Sequence, residues 1–177
     1  MSPPYAKLKD MAKAVFLDRD ETLNPDPGYI SDPEGFTLYP WVPGGLRQLK
    51  EAGYLLVVVS NQSGVGRGLI PPGALDRIHG KLDRLLMEEV GFAIDAFSIC
   101  PHRPEEGCAC RKPKPELLLR AAARLGISLT ESFMIGDRPS DVDAGLAAGV
   151  RKSFLILPGD QESFTRVIRE ILETGSS

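Results

Sequence analysis

Short apolar runs alternate along this chain with longer stretches in which apolar residues recur every three or four positions. The runs lie at 14–17, 55–59, 94–99, 133–135 and 154–157. Their brevity and mostly apolar character predict strands of a buried parallel sheet. Between them, residues 43–52 read as a helix with Pro43 in its first turn and a stop at Gly53. Leu75, Ile78, Leu82, Leu85, Leu86 and Val90 give residues 72–90 one apolar helical face. Leu117, Leu118, Ala121 and Leu125 do the same for Glu116–Leu125, which ends at Gly126. A short helix over 141–148 stops at Gly149, and Phe164, Val167, Ile168, Ile171 and Leu172 mark a last helix over 161–172.

This β-α-β-α rhythm predicts an α/β fold, a parallel sheet covered by helices on both faces, with strand C-terminal ends gathered on one rim. A chain of 177 residues without repeats or linkers suits a single domain over 14–177, preceded by an N-terminal extension over 1–13. The net charge of −3 gives no electrostatic reason to expect nucleic acid. Residues 1–13 lack the apolar core of a signal peptide, and no run approaches the length of a membrane span, so a cytoplasmic monomer with no membrane partner is expected.

The candidate chemistry sits at the ends of the predicted strands. Asp18-Arg19-Asp20-Glu21-Thr22 follows the first run, Ser60-Asn61 the second, and Gly136-Asp137-Arg138-Pro139-Ser140-Asp141 the fourth, while Lys112 lies in a Pro-rich loop. Two carboxylates one residue apart can share a magnesium ion and still do different work. Asp18 is placed to attack phosphorus, and Asp20 to protonate the leaving oxygen and later accept a proton from water. Asp18 and Asp137, with the carbonyl of Asp20, make a magnesium set of hard oxygen donors. Ser60 can donate to a phosphoryl oxygen, Lys112 can offset its charge, and Asp141 can orient Lys112 or a metal-bound water. Taken singly, Asp137 and Asp141 read more readily as helix caps, and Ser60–Gly64 as a polar turn, than as catalytic groups. Together with Lys112 they do not.

All three cysteines fall between 100 and 110, an odd number suited to metal rather than to a disulfide framework. Cys100, His102, Cys108 and Cys110 form a Cys₃His set for structural zinc, leading directly into Arg111 and Lys112. His79 is expected on the partly exposed side of its helix. The glycines of 63–68 can present backbone N–H groups or Arg67 to an anion, or serve flexibility alone, and the loop lacks a P-loop ending.

From about residue 14 to 157 these motifs resemble the haloacid dehalogenase superfamily of aspartate-nucleophile phosphatases: Asp18-x-Asp20-x-Thr22, Ser60, Lys112 and Gly136-Asp137-x3-Asp141. Within it, Gly28-Tyr29, Ser60-Asn61-Gln62-Ser63-Gly64, Arg67-Gly68 and Cys110-Arg111-Lys112-Pro113 resemble the zinc-containing heptose 1,7-bisphosphate 7-phosphatases. The resemblance implies a three-layer, Rossmann-like fold without a large cap domain. It implies Asp18 as nucleophile, Asp20 as acid/base, and Asp18, Asp20 and Asp137 at magnesium. Substrate contacts are implied at Asp26, Pro27, Gly28, Tyr29, Ser60, Asn61, Gln62, Ser63, Arg111, Lys112 and Arg138, with a phosphorylated sugar as substrate and a product used for lipopolysaccharide or other surface glycans. Arg67, Arg111 or Arg138 would grip a second phosphate.

Two departures bear on that reading. The family places Gly after Asp20, where this chain has Glu21, whose side chain either points away or crowds the phosphate. The zinc loop is short, a trait shared with histidinol-phosphate phosphatases, which are the alternative. A zinc-stabilised phosphate-binding module without catalysis is the second alternative.

Overall fold

The computed structural model describes residues 11–175. Five strands, β1 (Lys13–Leu17), β2 (Tyr54–Asn61), β3 (Ala96–Cys100), β4 (Phe133–Gly136) and β5 (Lys152–Leu155), form one sheet in the order β3-β2-β1-β4-β5. All four pairings are parallel. The helices are α1 (Val42–Glu51), a single turn α2 (Ser63–Gly66), α3 (Ala74–Val90), α4 (Glu116–Leu125), α5 (Pro139–Ala148) and α6 (Gln161–Gly175). The expected extension over 1–13 lies, for residues 1–10, outside the described residues, and Lys13 already opens β1.

Alternation within the apolar strands divides the core in two. Val15, Leu17, Leu56, Val58, Phe133 and Ile135 face α1, α3 and α6, where Leu46, Leu49, Ile78, Leu82, Phe164 and Ile168 complete one cluster. Ala14, Phe16, Val57, Val59 and Met134 face α4 and α5 through Leu117, Leu118, Ala121 and Ala144. Each large side chain buried this way contributes about 1.5–3 kcal/mol. The sheet is therefore the middle of three layers. Chain order reverses between β1 and β4, and open parallel sheets bind ligands beyond the strand ends at such a switch point.

Two strands are displaced from their expected positions. Residues 94–95 are not in β3, because Ile94 N–H donates to the Asp83 carboxylate and Asp95 N–H to the Leu56 carbonyl. The last strand begins at Lys152 and ends at Leu155, because its only partner, β4, ends at Gly136 opposite Leu155. Between β1 and α1 the chain forms one short 3-10 turn, Pro33–Gly35, and no cap domain.

Helix α5 lies very close to the sheet. A methyl group at Gly145 would meet Met134 Cβ at 2.7 Å and the Ser153 hydroxyl closer still. Gly145→Ala is therefore expected to lose about 1–3 kcal/mol, seen as a lower urea midpoint at unchanged slope. Gly44→Ala, on α1 with nothing within 4 Å, is the control and should be neutral or stabilising.

Candidate active site

Asp18 leaves β1 beside β4, its N–H donating to the Ile135 carbonyl at 3.0 Å. Asp137 follows β4, and Asp141 is one turn into α5. One carboxylate oxygen from each of the three lies within 4.8 Å of the others. Asp141 Oδ2 accepts the Arg138 N–H at 3.0 Å, so the capping role read from sequence is real. Its other oxygen takes Lys112 Nζ at 2.6 Å. Gly136 has to be glycine for this, since a Cβ there would collide with the folded-back Asp141 side chain.

Lys112 is buried, and Nζ also donates to Asp18 Oδ1 at 2.8 Å and to the Val59 carbonyl at 2.8 Å. Its three donors thus meet three acceptors. Burial alone would lower the Lys112 pKa, but the Asp18 and Asp141 carboxylates outweigh burial and raise it. Asn61 fixes the backbone beneath, accepting the Lys112 N–H at 3.0 Å and donating to its carbonyl at 3.1 Å. One ammonium does not balance three carboxylates. Burial, then the neighbouring Asp18, pushes Asp137 up to about 7, and burial followed by Asp18 raises Asp141. A hard divalent cation fits this oxygen-rich, charge-deficient set.

The Asp20 side chain is not in that cluster. It accepts from Arg19 Nε at 2.9 Å, Asn24 Nδ2 at 3.0 Å and Gln62 Nε2 at 2.8 Å. Burial opposes its ionisation most, yet the Arg19 charge and these hydrogen bonds together lower its pKa. Gln62 also donates to Ser60 Oγ at 2.9 Å, so its amide supports Asp20 and Ser60.

His79 corrects the sequence reading. It is buried on α3, stacked on Phe97 at 4.2 Å, with Nε2 3.4 Å from Arg19 Nη1. A guanidinium can only donate, so Nε2 accepts. Burial, and then Arg19, pull the His79 pKa down to about 4 and keep the ring neutral. Arg19, Asn24 and His79 had no assigned function in the sequence. The signal for His79 was present, because 75, 79, 82 and 86 form one helical stripe.

Asp18, Asp20, Asp26, Gly28, Tyr29 and Lys112 line one pocket of about 400 Å³. Its remaining wall comes from Ser60 to Ser63, Arg111, Arg138, Ser140 and Asp141. Pro27 is exposed and does not line this pocket. Arg67 is also elsewhere, paired with Glu105 at 3.5 Å. Gly64 serves close approach: a Cβ would meet the Tyr29 ring at 2.7 Å.

The cysteine loop brings its four donors together. Cys100 Sγ lies 3.5 Å from Cys108 Sγ and 3.6 Å from His102 Nδ1, while Cys110 Sγ lies 3.2 Å from His102 Nδ1 and 3.6 Å from Cys108 Sγ. Bonds of about 2.0–2.3 Å to a tetrahedral zinc require spacings close to these. Burial pushes the Cys100 thiol up to about 12, so a thiolate there needs a cation beside it. The His102 carbonyl holds Arg111 Nη1 at 3.4 Å, tying the loop to the pocket rim.

The sequence model of the haloacid dehalogenase-like hydrolase family matches residues 7–149. A D-glycero-beta-D-manno-heptose-1,7-bisphosphate 7-phosphatase of Helicobacter pylori is 44% identical over 145 residues, 82% of this chain and 84% of the relative. Its counterpart in Haemophilus influenzae is 41% identical over 155 residues, 84% of each chain. The D,D-heptose 1,7-bisphosphate phosphatase from B. bronchiseptica, crystallised with magnesium and phosphate, superposes with a TM-score of 0.80 at 29% identity. That match covers 92% of this chain and 99% of the other.

The raised pKa of Asp137 has a signed consequence. Between its ordinary 3.8 and about 7 the folded protein binds more protons than the unfolded chain, so this group's contribution to stability falls as pH rises through that window. In metal-free protein, Asp137→Asn should raise the Tm at pH 8 by at least about 2 °C and leave it nearly unchanged at pH 5. Magnesium should raise the Tm of the parent at pH 8 and have little effect on the variant.

Proposed function

The chain belongs to the haloacid dehalogenase-like hydrolase family, and we propose that it removes the 7-phosphate of D-glycero-D-manno-heptose 1,7-bisphosphate through an aspartyl-phosphate on Asp18. It is a phosphatase. The observation that carries the reading is the buried Lys112, which bridges Asp18 and Asp141 at the floor of a pocket lined by Arg111 and Arg138.

In this mechanism Lys112 holds Asp18 Oδ1, leaving Oδ2 to attack phosphorus while the phosphorus–oxygen bond to the sugar breaks. Asp20 supplies the proton to the departing oxygen, then takes one from the water that cleaves the acyl phosphate. Its resting geometry suits the second half: it is held ionised by Arg19, Asn24 and Gln62, and must take up a proton and turn from Gln62 for the first. Ser60 Oγ accepts from Gln62, which directs its own proton toward a phosphoryl oxygen. Asp18, Asp137 and the Asp20 carbonyl are the proposed magnesium ligands, the ion supplying charge neutralisation for nucleophile and phosphate. Asp141 belongs to the same carboxylate cluster and orients Lys112.

Zinc held by Cys100, His102, Cys108 and Cys110 is structural in this reading. Arg111 and Arg138 would take the second phosphate, since bidentate guanidinium contacts suit a bisphosphate. Arg67 drops out of that role because Glu105 holds it elsewhere. Asp26, Gly28, Tyr29, Asn61 and Ser63 would contact the sugar. Glu21 turns its carboxylate to Asp26 N–H and Tyr39 O–H, which argues against a phosphate site disabled by crowding. Residues 14–177 would then act as one catalytic domain, feeding surface-glycan synthesis.

Side-by-side kinetics on the heptose bisphosphate, histidinol phosphate and simple monoesters should give the highest kcat/KM for the first, with the 7-phosphate leaving before the 1-phosphate. A preference for histidinol phosphate would reassign the substrate. Asp18→Asn should fold and lose at least about 1000-fold in kcat, with no phosphorylated peptide after rapid quench. Label on Ser60 would overturn the assignment.

Purified protein should carry one zinc per chain. Cys108→Ser should lower the Tm and raise KM for the bisphosphate by loosening Arg111. Magnesium alone should not restore a zinc-stripped sample.

A further inference from the structure

Glu21 stands where the family pattern has glycine, and its backbone is left-handed, with φ of 64°. That conformation favours a residue without a Cβ, so the side chain must be held by contacts that offset the strain. Both carboxylate oxygens are engaged. Oε1 accepts the Asp26 N–H at 2.7 Å, and Oε2 accepts the Tyr39 hydroxyl at 3.0 Å. The Glu21 backbone adds two bonds, its N–H donating to the Asn24 carbonyl at 2.7 Å and its carbonyl accepting from Gly159 at 3.3 Å.

The two side-chain contacts join the 26–29 loop to the segment that leads into α1. Tyr39 stacks on Trp41 with ring centroids 4.9 Å apart, directly before α1. Burial, reinforced by the Glu21 bond, pushes the Tyr39 pKa up to about 12, so its hydroxyl remains a donor at neutral pH. On the other side, the Asp26 carboxylate accepts the Gly28 N–H at 2.9 Å, and Gly28 and Tyr29 follow with φ of 103° and 45°. Among the described residues, no backbone-to-backbone hydrogen bond outside helices and strands ties residues 25–31 to the rest. Asp26, Gly28 and Tyr29 line the pocket.

We propose that Glu21 is a positioning residue whose carboxylate latches the 26–29 loop to Tyr39, fixing the pocket wall that meets the substrate beyond the transferred phosphoryl group. The kinetic consequence rests on the phosphatase reading above; the latch itself does not. Glycine can adopt φ of 64° freely, so Glu21→Gly removes both contacts while preserving the backbone. Glu21→Gln retains an acceptor for Asp26 N–H and offers its amide to the Tyr39 oxygen, keeping the link and removing the charge.

Hydrogen exchange read by mass spectrometry should show the 24–30 amides of Glu21→Gly opening roughly tenfold faster than in the parent, with Glu21→Gln close to the parent. On the heptose bisphosphate, Glu21→Gly should raise KM roughly tenfold with kcat changed less than about twofold, and Glu21→Gln should restore KM. Parent-like exchange in Glu21→Gly overturns the latch. A KM that falls in both variants overturns it in favour of repulsion between Glu21 and the phosphate. If the parent cleaves p-nitrophenyl phosphate and not the heptose bisphosphate, the substrate reading fails, and the exchange data still decide the latch.

Discussion

An ammonium group removed from water needs an acceptor for each of its protons, and the fold supplies Lys112 with three from separate elements. Asp18 arrives from the end of β1, Asp141 from the first turn of α5, and the Val59 carbonyl from β2. Removing one partner of such a buried ion pair costs about 3–5 kcal/mol, because the remaining charge stays out of water. The sheet order makes the meeting possible. With β1 between β2 and β4, the C-terminal ends that carry these groups converge at one place. Lys112 itself comes from a loop, so it needs its own supports: the Asn61 amide pairs with its backbone, and Cys110 stands two residues earlier.

A second buried cation divides the labour between Asp18 and Asp20. Arg19 lies buried beside His79 and Phe36, and pairs with Asp20. Two carboxylates separated by one residue therefore have unlike surroundings. Asp18 shares a crowded acidic cluster with one lysine, while Asp20 is met by a guanidinium and two amides. Unlike environments of this kind are what the proposed division into nucleophile and proton carrier requires. The neutral His79 is part of that arrangement, since a charged ring at that distance would repel Arg19.

The elements were legible because apolar period and chain punctuation agree along most of the sequence. Glu116–Leu125 has one apolar face and a terminal glycine, and the helix occupies those bounds. Asp18, Ser60 and Asp137 were legible for a related reason: each immediately follows or closes an apolar run, and parallel topology puts those ends on one rim. What sequence spacing does not carry is which long side chain reaches which partner. Gln62 crosses to Asp20, Arg19 to His79, and Arg67 turns to Glu105 instead of the pocket. Each depends on a tertiary contact or on a competing acceptor that no local pattern encodes. The strand ends failed differently: apolar residues outside the paired stretch, Ile94 before β3 and Ile156 and Leu157 after β5, extend the run past the sheet.

The chemistry and the recognition surface are held by different means. The groups proposed to react, with the Asp141 that orients Lys112, are locked by buried ion pairs that tolerate little displacement. Among the described residues no cap domain covers the pocket, so discrimination among phosphomonoesters would fall to loops, and loops this rich in Pro and Gly have little regular hydrogen bonding of their own. Two local devices compensate. With the zinc proposed above, the Cys₃His cluster would give the 100–110 segment a fixed shape and, through the His102 carbonyl, a fixed Arg111. At the 26–29 loop, Glu21 ties Asp26 to Tyr39, and the Tyr29 ring rests against Gly64. An open site becomes selective only if its walls are rigid before substrate arrives, because each residue ordered on binding subtracts from affinity. The strain at Glu21 and the cysteine cluster are consistent with a pocket shaped in advance.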